Sequence, residues 1–277
     1  MSISKDLEYN ILNKIFKNHK IHGVIHLASL KAVNDSISKP LDYYDNNFNS
    51  SLDLIRSMEQ FKINKLIFSS SATVYGTRHQ SPLRESLSLS PNNPYGNTKL
   101  LIEKLIQDYA SSNKKFKSIS LRYFNPIGSN VSTGLSDQPL GSTKNLIPVI
   151  LNCIQNKTRL EVFGKIYKTR DGTCIRDYIH VQDVAEAHIN ALKFIHNIKG
   201  HIPINLGLGK GITVLEMIRI FEKVNKVKIN FKYSNRRKGD ADISFANNNL
   251  AKKILNWSPK YNYHDMVKDA WQSRMVR

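Results

Sequence analysis

Glycine is missing from the front of this chain: none precedes Gly23, although the 277 residues hold 13. That absence excludes from the first two dozen positions a glycine-rich turn that brings backbone N–H groups onto a pyrophosphate. Cysteine is almost lacking. Cys153 and Cys174 are far apart and without metal-ligand spacing, so no metal is expected and a reduced, cytoplasmic setting is the simplest expectation. No apolar run approaches the roughly 20 residues that span a bilayer, so no membrane partner is expected. Residues 1–8 lack a basic stretch followed by an apolar core, which predicts no signal peptide. Acidic residues are also few: 22 Asp and Glu face 41 Lys and Arg, a formal net charge of +19.

Such a surplus invites a nucleic-acid partner. The lysines, however, are scattered along the whole chain beside abundant Asn and Ile, and only Asn235-Arg236-Arg237-Lys238 forms a tight basic cluster. No helix-turn-helix, zinc-finger or RNP-like aromatic pattern accompanies it. A general compositional bias accounts for the charge, and no nucleic-acid partner is expected. The charge does favour an anionic ligand, and a nucleotide diphosphate would qualify.

What is present is a regular alternation. Helical apolar spacing over residues 6–19 precedes a buried-strand run at 23–28. Residues 41–60 read as a helix, 65–71 as a strand, 94–110 as a strong helix opening at Pro94, and 118–123 as a further strand. Strands alternating with helices predict a parallel, doubly wound sheet. Gly, Pro and Ser accumulate over 126–143, followed by a helix at 145–156, a strand at 160–163, a helix at 183–196 and a short strand at 204–207. A helix–strand–helix stretch through 213–233 and 248–256 closes the series, and this second half reads as a smaller substrate lobe.

Three segments carry candidate chemistry. Tyr95 and Lys99 have Tyr-x-x-x-Lys spacing at a helix start, which places phenol and ammonium on one helix face. A cation beside a phenol favours the phenolate and brings it toward the range of a general base. Residues 69–76, Ser-Ser-Ser-Ala-Thr-Val-Tyr-Gly, leave the carboxyl end of a strand, where open parallel sheets bind ligands. Residues 121–128, Leu-Arg-Tyr-Phe-Asn-Pro-Ile-Gly, end another strand and project Asn125 at the same edge. Singly, each pattern is ordinary: an exposed helix face, a Ser-rich turn, a strand-ending turn. Their order, each after a strand of one sheet, makes coincidence a poor account.

These segments closely resemble the UDP-glucose 4-epimerases of the extended short-chain dehydrogenase/reductase family. Residues 27–33, 43–47, 69–76, 95–99, 122–126, 176–180, 205–207 and 236–240 all contribute, and the resemblance runs in register over residues 3–271. It implies an incomplete doubly wound Rossmann-type sheet (1–126 plus about 176–206) that binds NAD. A UDP-sugar lobe would occupy about 127–175 and 207–277. By the resemblance, Tyr95 takes the proton of the sugar 4-OH, Lys99 holds the nicotinamide ribose and depresses the tyrosine pKa, and Ser71 and Thr73 bond the sugar near O4. NAD would meet Leu27, Ala28, Ser29, Leu30, Lys31, Asn46, Ser71, Tyr95, Lys99 and Phe124. The UDP-hexose would meet Lys31, Thr73, Tyr95, Asn125, Asn145, Leu146, Phe163, Arg176, Arg237, Asp240 and Ser244, the arginines forming bidentate bonds to phosphate. Arg176 could instead pair with Asp177, and Asp240 could cap a turn. Ser244 falls where relatives carry a bulky tyrosine or a small residue near the sugar 2-position, so room for an N-acetyl group is expected. A homodimer is possible. The implied reaction interconverts UDP-glucose and UDP-galactose by reversible oxidation at C4.

Two departures qualify that expectation. The family opens with a strand, a glycine-rich turn and a helix, followed by an acidic residue for the adenosine ribose, and neither feature is found here. Val24, Ile25 and Leu27 are thus expected on an open sheet edge, and NAD binding is expected to weaken. Ser29 stands where glycine is usual. The alternative is an inactive remnant, or one part of a split enzyme, that at most binds UDP-sugar. Related 4,6-dehydratases carry an acidic pair at Ala72-Thr73, so dehydratase chemistry is not expected.

Overall fold

The computed structural model describes residues 5–136, 145–237 and 239–275. Its elements run α1 (Lys5–Asn18), β1 (Val24–His26), α2 (Val33–Ser38), α3 (Pro40–Tyr43), a π-helical turn (Tyr44–Asn49), α4 (Ser50–Gln60), β2 (Lys65–Ser71), a 3-10 turn (Ala72–Tyr75), α5 (Pro94–Ser112) and β3 (Lys117–Tyr123). There follow β4 (Asn125–Ile127), β5 (Ser129–Asn130), β6 (Leu135–Ser136), α6 (Leu146–Gln155), β7 (Leu160–Phe163), β8 (Ile175–Arg176), β9 (Tyr178–His180) and α7 (Val181–Phe194). The chain continues through β10 (Gly200–Leu206), β11 (Ile212–Thr213), α8 (Val214–Asn225), β12 (Phe231–Ser234), β13 (Ile243–Ser244), α9 (Asn249–Leu255) and α10 (Tyr263–Met275).

Two compact units form. The first takes in residues 1–76, 88–122 and 188–204. It is built on a parallel sheet ordered β1-β2-β3-β10, with Val24 to His26 in register with Leu66 to Phe68. Leu66, Ile67 and Phe68 are buried in succession, as strands covered on both faces require. Ile102, Ile106 and Ala110 recur at helical spacing along α5 and close one core with Leu54, Met58, Leu66 and Phe68. β1 stands at the end of the sheet order, with Ile25 and Leu27 exposed. The helix expected over 41–60 is divided: Pro40 opens α3, and the π-helical turn then interrupts the α-helical register. That turn rotates Asn47 inward, where it is fully buried.

The second unit takes in residues 77–87, 123–187 and 205–277. The excursion 77–87 belongs here because Leu83 exchanges backbone hydrogen bonds with Phe245 and Asn247, each 2.8 Å. Residues 123–126, 176–187 and 205–206, expected with the first sheet, also fall in this unit. Its strands are short: β11-β8-β13 form one sheet, and β12 with β7, β4 with β9 and β5 with β6 form pairs. The core gathers Ile150, Val162, Leu215, Phe221 and Met266, and α10, which sequence periodicity did not reveal, contributes the last of these. Residues 137–144 of the Gly/Pro/Ser-rich stretch and Lys238 of the basic cluster lie outside the described residues.

Candidate active site

In the first unit, β2 ends in Ser71, whose hydroxyl caps the 3-10 turn by accepting from the backbone N–H of Thr73 (3.2 Å). The Thr73 hydroxyl donates to the same oxygen at 3.0 Å. α5 begins opposite. Asn93 caps it by accepting from the Gly96 N–H (2.8 Å), and Pro94 supplies a pre-set first turn. Gly96 has no alternative: a Cβ there would lie 2.8 Å from Pro91 Cβ and 3.1 Å from the Thr73 carbonyl. That close approach is what brings Tyr95 to Ser71. The Ser71 hydroxyl bonds the Tyr95 phenol, completing a hydroxyl chain Thr73–Ser71–Tyr95.

Lys99 lies one turn further along α5, almost wholly buried, with Nζ donating to the Ser69 carbonyl at 2.8 Å. The ammonium is 4.9 Å from the Phe68 ring centroid and 5.8 Å from that of Tyr95. Burial draws Lys99 down to about 7, while Glu103 pulls the other way. Burial also pushes Tyr95 up to about 12, against the Ser71 hydrogen bond. The resemblance led us to expect a tyrosine depressed by its lysine. Burial outweighs the Ser71 hydrogen bond, and Lys99 is not among the groups that shift the phenol.

Of the remaining residues expected at a cofactor, Leu27 to Lys31 lie on the loop after β1 and Asn46 on the π-helical turn. Leu27, Ala28, Leu30, Lys31 and Asn46 are exposed and Ser29 partly so; the Ser29 hydroxyl donates to the Leu30 carbonyl at 3.1 Å. Two residues that the sequence reading passed over hold this region. Asn47 accepts from the Leu30 N–H (2.8 Å), and its amide donates to the Leu30 carbonyl (3.1 Å) and the Thr98 hydroxyl (3.2 Å). Tyr43 meets the Tyr95 ring edge-on at 6.5 Å and donates its hydroxyl to the Ala32 carbonyl at 2.6 Å. A buried Asn inside the 43–47 motif was the available signal, because buried amides need partners.

In the second unit, Arg176 donates to the carbonyls of Ile175 (2.9 Å) and Ala241 (2.8 Å) and lies 3.6 Å from Asp240. It does not pair with Asp177. That carboxylate is fully buried and accepts backbone N–H groups from Leu208 (2.7 Å), Gly209 (3.0 Å) and Ala246 (3.0 Å). Gly207 makes this possible, since a Cβ would sit 2.4 Å from Asp177 Oδ2. Burial raises Asp177 to about 7 against those three donors. Asn125 donates its amide to the Asp177 carbonyl (2.7 Å), and Ser244 is in register with Arg176 across β13 and β8.

Arg237 stacks on Phe163, its guanidinium carbon 3.8 Å from the ring centroid, and among the described residues its side chain makes no hydrogen bond or ion pair, while its backbone carbonyl accepts from the Asp240 N–H at 3.4 Å. Tyr167 donates to Asp240 (3.4 Å) and lies under Arg236 (4.4 Å); neither residue was anticipated in a role of its own. Arg176, Asp240 and Ser244 are thus gathered on and beside one small sheet, with Phe163 and Arg237 stacked on each other. Asn145 stands at the N-cap of α6 and Leu146 is its first residue, and Phe124 is buried, its N–H bonded to the Leu206 carbonyl at 3.1 Å. Among the described residues no cluster of His, Cys, Asp and Glu is placed to hold a metal ion, and no helix is long and apolar enough to cross a membrane.

A parallel sheet with Ser, Tyr and Lys converging at a strand end and a helix start defines a short-chain dehydrogenase/reductase type of protein. Residues 3–270 match the family model described as GDP-mannose 4,6 dehydratase. A curated UDP-glucose 4-epimerase of Erwinia amylovora is 43% identical over 267 residues, covering 96% of this chain and 79% of the relative. Of solved structures, a UDP-glucose 4-epimerase from Stenotrophomonas maltophila with bound NAD and formylated UDP-arabinopyranose superposes with a TM-score of 0.93. It is 40% identical, over 97% of this chain and 80% of that one. The Bifidobacterium longum UDP-glucose 4-epimerase in complex with NAD+ and UDP gives a TM-score of 0.92 at 37% identity, over 97% and 81% of the two chains. The chain belongs to the UDP-glucose 4-epimerase family.

Proposed function

We propose that the protein is an NAD-dependent epimerase that interconverts UDP-glucose and UDP-galactose. The observation that carries this reading is the Thr73–Ser71–Tyr95 hydroxyl chain beside the buried Lys99. The residues fit the nicotinamide end of the cofactor: an ammonium has three donors, and Lys99 gives only one, to Ser69, among the described residues. Two donors remain for a ribose diol. When bound, NAD supplies reversible hydride acceptance at the sugar C4. Tyr95 then takes the O4 proton and returns it, and Ser71 and Thr73 hold O4 in line with the phenol. Leu27 to Lys31, on the loop that Asn47 secures, and Asn46 on the π-helical turn would border the cofactor, and Phe124 would complete its contacts.

The second unit supports recognition of UDP. Arg237, with its side-chain donors uncommitted among the described residues, would be the better diphosphate ligand; Arg176 already serves two carbonyls and lies 3.6 Å from Asp240, which would bond a ribose. Asn125, Asn145, Leu146 and Phe163 would line the nucleotide. Holding UDP firmly and the hexose loosely lets a 4-keto sugar turn over and receive hydride on its other face. Ser244, a small residue, would leave room for an N-acetyl group. Dehydratase chemistry is less well supported, because the 3-10 turn offers Ala72 and Thr73 and no carboxylate.

The free thiols of Cys153 and Cys174 fit a cytoplasmic setting. Exposed Ile37, Leu41 and Leu101 on α2, α3 and α5 suit a homodimer, and nothing in the basic surface calls for nucleic acid. The deciding experiment measures UDP-hexose interconversion by the protein purified with NAD. Tyr95→Phe is expected to lower turnover by about 10²-fold or more. Absence of wild-type activity on every UDP-hexose overturns the assignment.

A further inference from the structure

Behind Tyr95 and Lys99 the first unit buries a second polar group that the reaction as described does not use. Glu103, four residues beyond Lys99 on the same face of α5, is almost fully enclosed. Its carboxylate accepts from the Ser70 hydroxyl at 2.5 Å, from Arg122 Nε at 3.0 Å and from a terminal Arg122 nitrogen at 2.6 Å. The other terminal nitrogen of Arg122 donates to the Tyr75 hydroxyl at 2.9 Å. One ion pair therefore ties together the end of β2, the 3-10 turn, α5 and β3. These are the elements that carry Ser71, Thr73, Tyr95 and Lys99.

A buried ion pair is a poor device for stability, since desolvation consumes most of the attraction, and apolar residues of similar volume often serve as well. Fixing geometry is its better-supported use. Ser70 and Ser71 are neighbours, so the strand end that presents the Ser71 hydroxyl is held from behind by Glu103. Tyr75 and Thr73 share the 3-10 turn, so Arg122 holds that turn in the same way. The fork of a guanidinium against a carboxylate admits one mutual orientation, which a lysine could not reproduce.

We propose that Glu103 and Arg122 are positioning residues for the epimerase reaction: the pair sets the register of Ser71 against Tyr95, and its carboxylate is the counter-charge to Lys99, one turn along the same helix face. This inference rests on the epimerase reading for its kinetic consequences but not for its electrostatic ones. The ionisable groups around Lys99 are Tyr95 and Glu103 on its own helix and His26 on β1. Behind Glu103 lie Arg122 on β3, Tyr75 on the turn and His201 on β10. Glu103 is the only carboxylate in that set. Burial holds both histidines down at about 4, so neither titrates with Lys99 near neutrality.

The test is the titration of Lys99, followed by 13C NMR of the lysine ε-carbons and assigned with Lys99→Met, alongside the pH profile of kcat. Glu103→Gln keeps the shape and an acceptor for Ser70 while removing the charge. It is expected to move the Lys99 titration down by on the order of one pH unit and to lower kcat about tenfold, with KM for the UDP-sugar little changed. Arg122→Gln leaves the carboxylate without its competitor and is expected to move the titration up. The double variant Glu103→Gln/Arg122→Gln is an uncharged hydrogen-bonded pair; it is expected to fall between the singles, and serves if either single variant fails to fold. Opposite displacements support the proposal. Displacements in the same direction, or a Lys99 titration unmoved by either change, overturn it in favour of a purely structural pair. An inactive wild type would refute the epimerase reading while leaving the NMR result to decide this one.

Discussion

Lys99 is expected to weaken the fold that it serves. An unfolded lysine titrates near 10.5, and burial draws this one down to about 7. Between those values the folded chain binds fewer protons than the unfolded chain, so stability rises with pH across that window and the penalty is complete below it. At about 1.36 kcal/mol per pH unit, the full penalty is roughly 4–5 kcal/mol near pH 6.5 and only about 1–2 kcal/mol at pH 9.5. Lys99→Met removes the charge and keeps an unbranched side chain against Phe68. It also leaves the Ser69 carbonyl without its 2.8 Å donor, a loss of about 1–3 kcal/mol. The variant should therefore be more stable than wild type by about 2–3 kcal/mol at pH 6.5, and no more stable, or slightly less so, at pH 9.5. Urea unfolding at the two pH values, with neither NAD nor UDP-sugar added, reads this directly. The neighbouring titrations stay clear of the window, with His26 held at about 4 and Tyr95 at about 12. A difference between variant and wild type that is the same at both pH values, or larger at pH 9.5, would refute the reasoning. Loss of turnover together with gained stability at low pH is the signature of a charge buried for function.

Other expectations follow from the second unit. Arg237→Ala should raise KM for UDP-sugars by about 10- to 100-fold through lost charge-assisted phosphate bonds, with kcat less affected; an unchanged KM would remove Arg237 from the diphosphate site. Ser244→Tyr should lower kcat/KM for UDP-N-acetylhexosamines by about tenfold or more relative to UDP-hexoses, and the lack of any selective loss would reject its role in sugar width. Asp177→Ala strands three backbone N–H groups, that of Ala246 buried and those of Leu208 and Gly209 partly so, and should destabilise the protein by about 3 kcal/mol, measured by thermal or urea unfolding.

How far the site could be read from the sequence depended on whether a residue's role is local. Tyr95, Lys99 and Ser71 follow signals confined to a few positions: a helix opened by Pro94, a four-residue spacing and a strand ending in hydroxyls. Short-range geometry determines where those side chains go: Ser71 ends β2, and Tyr95 and Lys99 lie on the first turns of α5. The residues missed are those whose partners are distant in sequence. Asn47 reaches Thr98 across 51 positions and acts only because the π-helical turn rotates it inward, and period-counting over 41–60 assumes that no such turn occurs. Asp177 was visible within a quoted motif, yet its neighbour Arg176 supplied an apparent partner, and charge pairing is the first inference one sequence allows. Its real partners are backbone N–H groups of residues 208, 209 and 246, which a sequence does not display as donors at all. Glu103 lies between these cases. Its spacing from Lys99 is as plain as that of Tyr95, but a carboxylate on a helix that also carries lysines is ordinarily solvated, and only the packing of Ser70 and Arg122 around it reveals otherwise. A buried acid four residues from a buried base, in a chain with a surplus of surface lysine, is not a solubility feature. Its charge is held in place by Arg122 and acts on Lys99, one turn away on the same helix.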